Sequence, residues 1–219
     1  MKWTRLLLLA CLAHSPSFAQ YDSLYMKNGA YHLQRALHKL YRTNHADVVM
    51  LGNSITYGAN WSELLGRPGV VNRGIGGDNT YGFLHRMDDV VRLKPRMCFV
   101  MAGINDLFAD IPVDSVVQNY RRIVDTLQQY QIVPVIQSTL FVSPKWRRSA
   151  EKNTEVAGLN ERLKALARER HLIFLDLNEQ LSSAGVLKEE FTYDGVHLAA
   201  AGYAIWSAEV EKVLRRNGL

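Results

Sequence analysis

The chain has 219 residues, of which 47% are hydrophobic, enough to bury a sizeable core in one domain. Its 26 basic and 21 acidic residues leave a formal charge of +5, and the basic residues are scattered instead of gathered into a stripe, which argues against nucleic acid as a partner. Two cysteines exclude a disulfide-stapled scaffold.

Met1 to Ala19 reads as a secretory leader: Lys2 and Arg5 give a basic start, Leu6 to Ala13 an apolar stretch, and Ser17-Phe18-Ala19 a small-x-small cleavage site. A lipoprotein anchor at Cys11 is the second reading, weakened by the few apolar residues between Arg5 and that cysteine. The expectation is therefore an exported protein, periplasmic or extracellular, with residues 20–219 as one domain. No later run is apolar and long enough to span a bilayer. Once the leader is gone, Cys98 is the remaining cysteine. It sits in the apolar run Met97 to Met101, where a buried small hydrophobe is expected.

Residues 21–43 carry apolar side chains at helical spacing, interrupted near Asn28-Gly29. Val48 to Leu51 is an apolar run stopped by Gly52, the pattern of a strand buried on both faces. Ser54 follows at its carboxyl end. A short helix over 61–65 and a strand over 69–72 come next, and the glycine-rich loop Arg73 to Thr80 feeds a helix expected over 80–92. Strands are expected over 97–102, 132–136 and 172–176, with helices over 113–130, 151–170 and 200–215. This alternation predicts an α/β domain with a parallel sheet and helices on both faces.

In such a sheet the carboxyl ends of the strands carry the ligand site, because loops and helix N-termini converge there. Ser54 supplies a hydroxyl at that edge. Asp194 and His197 stand three apart before the last helix, so the carboxylate can reach one imidazole nitrogen while the other faces the serine, the order of groups that acyl transfer needs. Gly76-Gly77 and Asn105 offer hydrogen-bond donors for a developing oxyanion. Each feature alone has a plainer reading, as a turn, a helix cap or a structural histidine.

Together, Gly52-Asn53-Ser54, the glycine loop with Asn72 and Gly77, Gly103-x-Asn105-Asp106 and Asp194-x-x-His197 resemble, in order and spacing, the four blocks of the SGNH (GDSL-type) hydrolases. The resemblance implies a flavodoxin-like three-layer α/β/α sandwich on a five-stranded parallel sheet. It further implies Ser54 as nucleophile, His197 as base, Asp194 as its orienter, and an oxyanion hole from the Ser54 and Gly77 N–H groups and the Asn105 side chain. No metal or organic cofactor is implied. Asn53 departs from the family pattern, in which Asp is common, and this alters the local charge without touching the nucleophile.

The chain looks closest to compact bacterial members related to sialate O-acetylesterases and to platelet-activating-factor acetylhydrolase catalytic subunits. With short segments between the blocks, the expected activity is that of a secreted carbohydrate O-acetylesterase, removing short acyl (acetyl) groups from a small-molecule or glycan ester, O-acetylated sialic acid among them. A lipolytic esterase and a non-catalytic carbohydrate-binding protein are the alternatives. Arg73, Trp146 and Arg147 are candidate substrate-binding residues, the arginines for a sugar carboxylate and Trp146 for a pyranose face.

Overall fold

The computed structural model describes residues 21–219. The expected leader over 1–19 and Cys11 lie outside the described residues.

After a short 3-10 turn, Leu24–Lys27, comes α1 (Gly29–Leu40), capped by Asn28. The strand β1 (Val48–Gly52) is followed by α2 (Ser54–Tyr57), α3 (Trp61–Leu64) and β2 (Val70–Gly74). Next are α4 (Thr80–Leu84), α5 (Asp88–Val91), β3 (Met97–Met101), α6 (Ile104–Phe108), α7 (Val113–Gln129) and β4 (Val133–Gln137). The chain closes with α8 (Ser149–Glu169), β5 (Ile173–Leu175), α9 (Asn178–Leu181), the hairpin β6 (Ser182–Ser183) and β7 (Val186–Leu187), and α10 (Ala200–Arg216).

The five main strands are all parallel, in the order β2-β1-β3-β4-β5. Right-handed crossovers then dictate the layers. The connections β2 to β3, β3 to β4 and β4 to β5 run in one direction across the sheet and carry α4, α5, α7 and α8 to one face. The connection β1 to β2 runs the other way and carries α2 and α3 to the opposite face. There α10 joins them, with Trp206 edge-on to Trp61 at 4.6 Å between ring centres, both fully buried. The result is the expected three-layer sandwich. Every residue of β1 and β3 is buried, as apolar runs without alternation require for strands covered on both sides. Cys98 is among them, its thiol pushed up by burial.

The chain leaves β1 for β2 on one side, while β3 lies on the other. The carboxyl ends of β1 and β3 therefore flank the point where strand order reverses, the crevice in which this class of sheet binds ligands.

One expected element is broken. The helix over 80–92 is two short helices, α4 and α5, because the intervening Arg86 turns inward. Its fully buried guanidinium donates to the Asp78 carboxylate (2.6 Å), to the Arg73 carbonyl (2.8 Å) and to the Gly52 carbonyl (2.9 Å). These three contacts tie the ends of β1 and β2 to the glycine-rich loop. Three further elements, α6, α9 and the small hairpin, are too short to leave a periodic signal.

Candidate active site

Ser54 begins α2 immediately after β1. Asn53 caps that turn, its side-chain oxygen accepting from the Ile55 N–H (3.0 Å), so the residue type that departs from the family pattern still performs the capping. Its buried side-chain nitrogen has no partner among the described residues. At Gly52 a side chain has no room, because a Cβ would stand 1.8 Å from the Thr56 hydroxyl oxygen. This contact seats the α2 turn directly on the strand end.

Across the crevice, residues 192–198 form a tight loop ahead of α10. Asp194 Oδ1 accepts from the N–H groups of Val196 (2.9 Å) and His197 (2.8 Å), which leaves Oδ2 for His197 Nδ1 at 2.6 Å. His197 Nε2 lies 2.9 Å from Ser54 Oγ. A carboxylate only accepts, so Nδ1 carries the ring proton and the Nε2 lone pair faces the serine hydroxyl. Partial burial works to raise the Asp194 pKa, but hydrogen bonds from the His197 ring and from the two N–H groups outweigh it and hold the carboxyl below its ordinary value. The acid therefore stays charged beside the imidazole. Tyr203 of α10 donates to the Ile55 carbonyl (2.6 Å), fixing the helix behind His197 to the turn that carries Ser54.

The three donors expected from the sequence each keep an unpartnered N–H among the described residues. Among the described residues neither the Ser54 nor the Gly77 N–H makes a hydrogen bond. Gly77 adopts φ +70°, a left-handed conformation that glycine reaches without strain. Asn105, at the start of α6, spends one side-chain N–H on the Asp78 carbonyl (2.8 Å), which fixes the amide plane and leaves its other N–H available. Asp106 beside it is fully buried, accepts from the Thr80 N–H and hydroxyl, and is pushed up to about 7 by burial, against those hydrogen bonds. Asp78 is likewise raised to about 6 by burial, which outweighs the attraction of Arg86.

This arrangement can perform acyl transfer: a hydroxyl with a base aligned on it, an orienting acid, and donors for the oxyanion. The acidic group Asp110, Glu151 and Glu155, elsewhere on the surface, holds the Lys152 ammonium 2.7 Å from Asp110 and 3.0 Å from Glu155.

The candidate substrate-binding residues fare differently. Arg73 belongs to β2, not to the loop, and is 1% exposed. Its guanidinium donates to the carbonyls of Asn72 (2.8 Å) and Asp89 (3.3 Å), and burial lowers its pKa to about 10. It is a structural cation of the sheet edge. Trp146 stays 37% exposed and stacks on Phe108 at 4.8 Å. Its loop abuts the Asp194–His197 turn, since Ser143 N–H donates to the Gly195 carbonyl (2.8 Å). Arg147 is exposed and unpaired among the described residues, whereas Arg148 is engaged by Glu151 and Asp110. Tyr193, 69% exposed and stacked on the His197 ring at 5.9 Å, went unnoticed in the sequence although it adjoins Asp194.

A profile of the GDSL-like lipase/acylhydrolase family matches residues 50–205. The chain is 24% identical over 162 residues to the isoamyl acetate-hydrolyzing esterase of Saccharomyces cerevisiae, covering 66% of this chain and 68% of that protein. It is 26% identical over 125 residues to the N-acylneuraminate cytidylyltransferase of Streptococcus agalactiae, a match over 56% of this chain that spans only 29% of that protein's length. A GDSL-like lipase of Bacteroides thetaiotaomicron shares the fold with a TM-score of 0.75 at 24% identity, covering 85% of this chain and 98% of that one. A variant of an acetyl-xylooligosaccharide esterase from Geobacillus does so with a TM-score of 0.65 at 20% identity, covering 81% and 97%. The family match begins inside β1, ahead of Ser54, and runs past His197 into α10. The chain belongs to the GDSL-like lipase/acylhydrolase family.

Proposed function

We propose that this protein is an exported serine esterase that removes acetyl groups from carbohydrates, with Ser54 as nucleophile, His197 as base and Asp194 as orienter. The observation that carries the reading is the unbroken line from Asp194 Oδ2 through the His197 ring to Ser54 Oγ, at 2.6 and 2.9 Å. Ser54 Oγ attacks the ester carbonyl while His197 Nε2 takes its proton, and the oxyanion is held by the Ser54 and Gly77 N–H groups and Asn105. His197 returns the proton to the departing sugar oxygen, leaving acetyl-Ser54. Water, deprotonated by His197, then attacks the acyl-enzyme, and acetate leaves as Ser54 regains its proton.

The acetyl preference draws support from the acetate ester named for the yeast relative and from the short segments around the site. Export, with residues 1–19 as leader and 20–219 as one domain, rests on the leader pattern. Turnover of activated acetyl, butyryl and octanoyl esters by the wild type and by Ser54→Ala tests the proposal. Activity should fall with chain length and vanish in a folded Ser54→Ala protein. Activity that rises from butyryl to octanoyl supports a lipolytic enzyme instead, and turnover by Ser54→Ala removes the mechanism.

The substrate is further proposed to be acidic, with Arg147 and the Trp146 face as its contacts. Arg147→Glu should raise KM for an acetylated sialate severalfold and leave an uncharged acetyl ester unaffected. Equal effects on both return Arg147 to the solvated surface.

A further inference from the structure

The segment ahead of β1 lies outside the family match, which begins at residue 50, yet it reaches the proposed oxyanion hole. Asn28 is the point of contact. Its side-chain oxygen caps α1, accepting from the N–H groups of Ala30 (3.0 Å) and Tyr31 (3.4 Å). That commitment turns the side-chain nitrogen the other way, where it donates to the Gly76 carbonyl at 2.7 Å. The amide also packs against Gly77, where an added Cβ would stand 3.1 Å from the Asn28 nitrogen.

The Gly76 carbonyl and the Gly77 N–H belong to one peptide unit. In a planar trans peptide they point in opposite directions, so whatever grips the carbonyl also aims the N–H. Glycines on both sides make this peptide unusually easy to rotate, because neither flanking residue has a Cβ to resist a flip. We infer that Asn28 is a positioning residue for the reaction: by clamping the Gly76 carbonyl it holds the Gly77 N–H toward the oxyanion. The clamp is itself well founded. Tyr31 donates to the Gly82 carbonyl (3.2 Å), and Arg35 donates to the His85 carbonyl (2.9 Å) and pairs with Asp88 (2.9 Å), so α1 is fastened to α4 and α5, the helices that follow the glycine loop.

The inference rests on the proposed serine mechanism, and the test separates the two. Asn28→Asp keeps the capping oxygen and the side-chain shape but sets a carboxylate against the Gly76 carbonyl. The repulsion favours the flipped peptide. Asn28→Ser keeps a cap but is too short to bring a donor to the Gly76 carbonyl. With an activated acetyl ester, kcat should fall in the order wild type, Asn28→Ser, Asn28→Asp. The last should lose about 10- to 100-fold, below the roughly 10²–10³ expected for deleting one oxyanion donor outright. KM should stay within about twofold, because the contact strengthens only in the transition state. Thermal unfolding should shift little in either variant. Wild-type kcat in Asn28→Asp, a loss carried by KM, or losses that track melting temperature across both variants overturns the inference. A Ser54→Ala protein that still turns over overturns the mechanism beneath it, whereas an inactive Ser54→Ala beside a fully active Asn28→Asp sinks this inference alone.

Discussion

Replacing Arg86 by Met should destabilise the protein by an amount that depends on pH in a way its contacts dictate. The substitution removes the hydrogen bonds to the Arg73 and Gly52 carbonyls, although Gly52 keeps a second donor in the Ile75 N–H (3.1 Å). Two such bonds contribute about 1 kcal/mol each, so about 2 kcal/mol should be lost at any pH. The remainder concerns Asp78, raised by burial to about 6 even with Arg86 beside it. A carboxyl raised on folding favours the folded state at low pH, and that advantage drains away as pH climbs from the unfolded pKa to the folded one. In the wild type the loss stops near pH 6. In Arg86→Met the carboxyl has lost its cation and keeps only the Asn79 N–H (3.0 Å), so it holds its proton to higher pH and goes on losing stability. Each pH unit is worth about 1.4 kcal/mol, so the deficit should be about 2 kcal/mol at pH 5.5, about 3.5 at pH 7 and about 5 at pH 8. Urea unfolding at the three pH values, with a common m-value, measures it. A deficit flat across this range, or greater at pH 5.5 than at pH 8, refutes the claim that Arg86 exists to hold a charged Asp78.

Three further outcomes are expected. Asn105→Ala should lower kcat by about 10²–10³ with KM little changed, and a large rise in KM at intact kcat would make Asn105 a substrate contact instead. Asp106, raised by burial to about 7, favours the folded state at low pH and loses that contribution as pH rises through 7, so Asp106→Asn should gain on the wild type in denaturant midpoint between pH 5 and pH 8; parallel profiles would contradict this. Trp206→Phe should cost about 2 kcal/mol, because it leaves a void against Trp61 and strands the Gln137 side-chain oxygen, now 2.6 Å from the indole N–H; a change in unfolding free energy below about 0.5 kcal/mol would show that the site relaxes.

What the amino-acid sequence made legible was whatever has a period or a short-range partner. The strands β1 and β3 announce themselves as unbroken apolar runs, and Asp194 and His197 declare their pairing because they stand three positions apart. Arg73 misled because its glycine neighbours suggested a loop, whereas β2 runs on through Gly74 and buries the side chain at the sheet edge. Arg86 was invisible for the converse reason. A cation among apolar helical positions reads as a surface residue, and only the meeting of Asp78 with two strand ends gives it an interior role. Asn28 reads in the sequence only as part of an interruption in helical spacing, because its partner Gly76 lies 48 positions later.

Ser54 and His197 are 143 positions apart in the chain. At synthesis rates of about 5–20 residues per second, a growing polypeptide carries Ser54 for roughly 7 to 30 s before His197 has been made. The Tyr203 bond to Ile55, which braces the two halves, comes later still. The proposed mechanism therefore makes an incomplete chain chemically silent, and in a refolding experiment the return of esterase turnover should lag behind the recovery of helical signal.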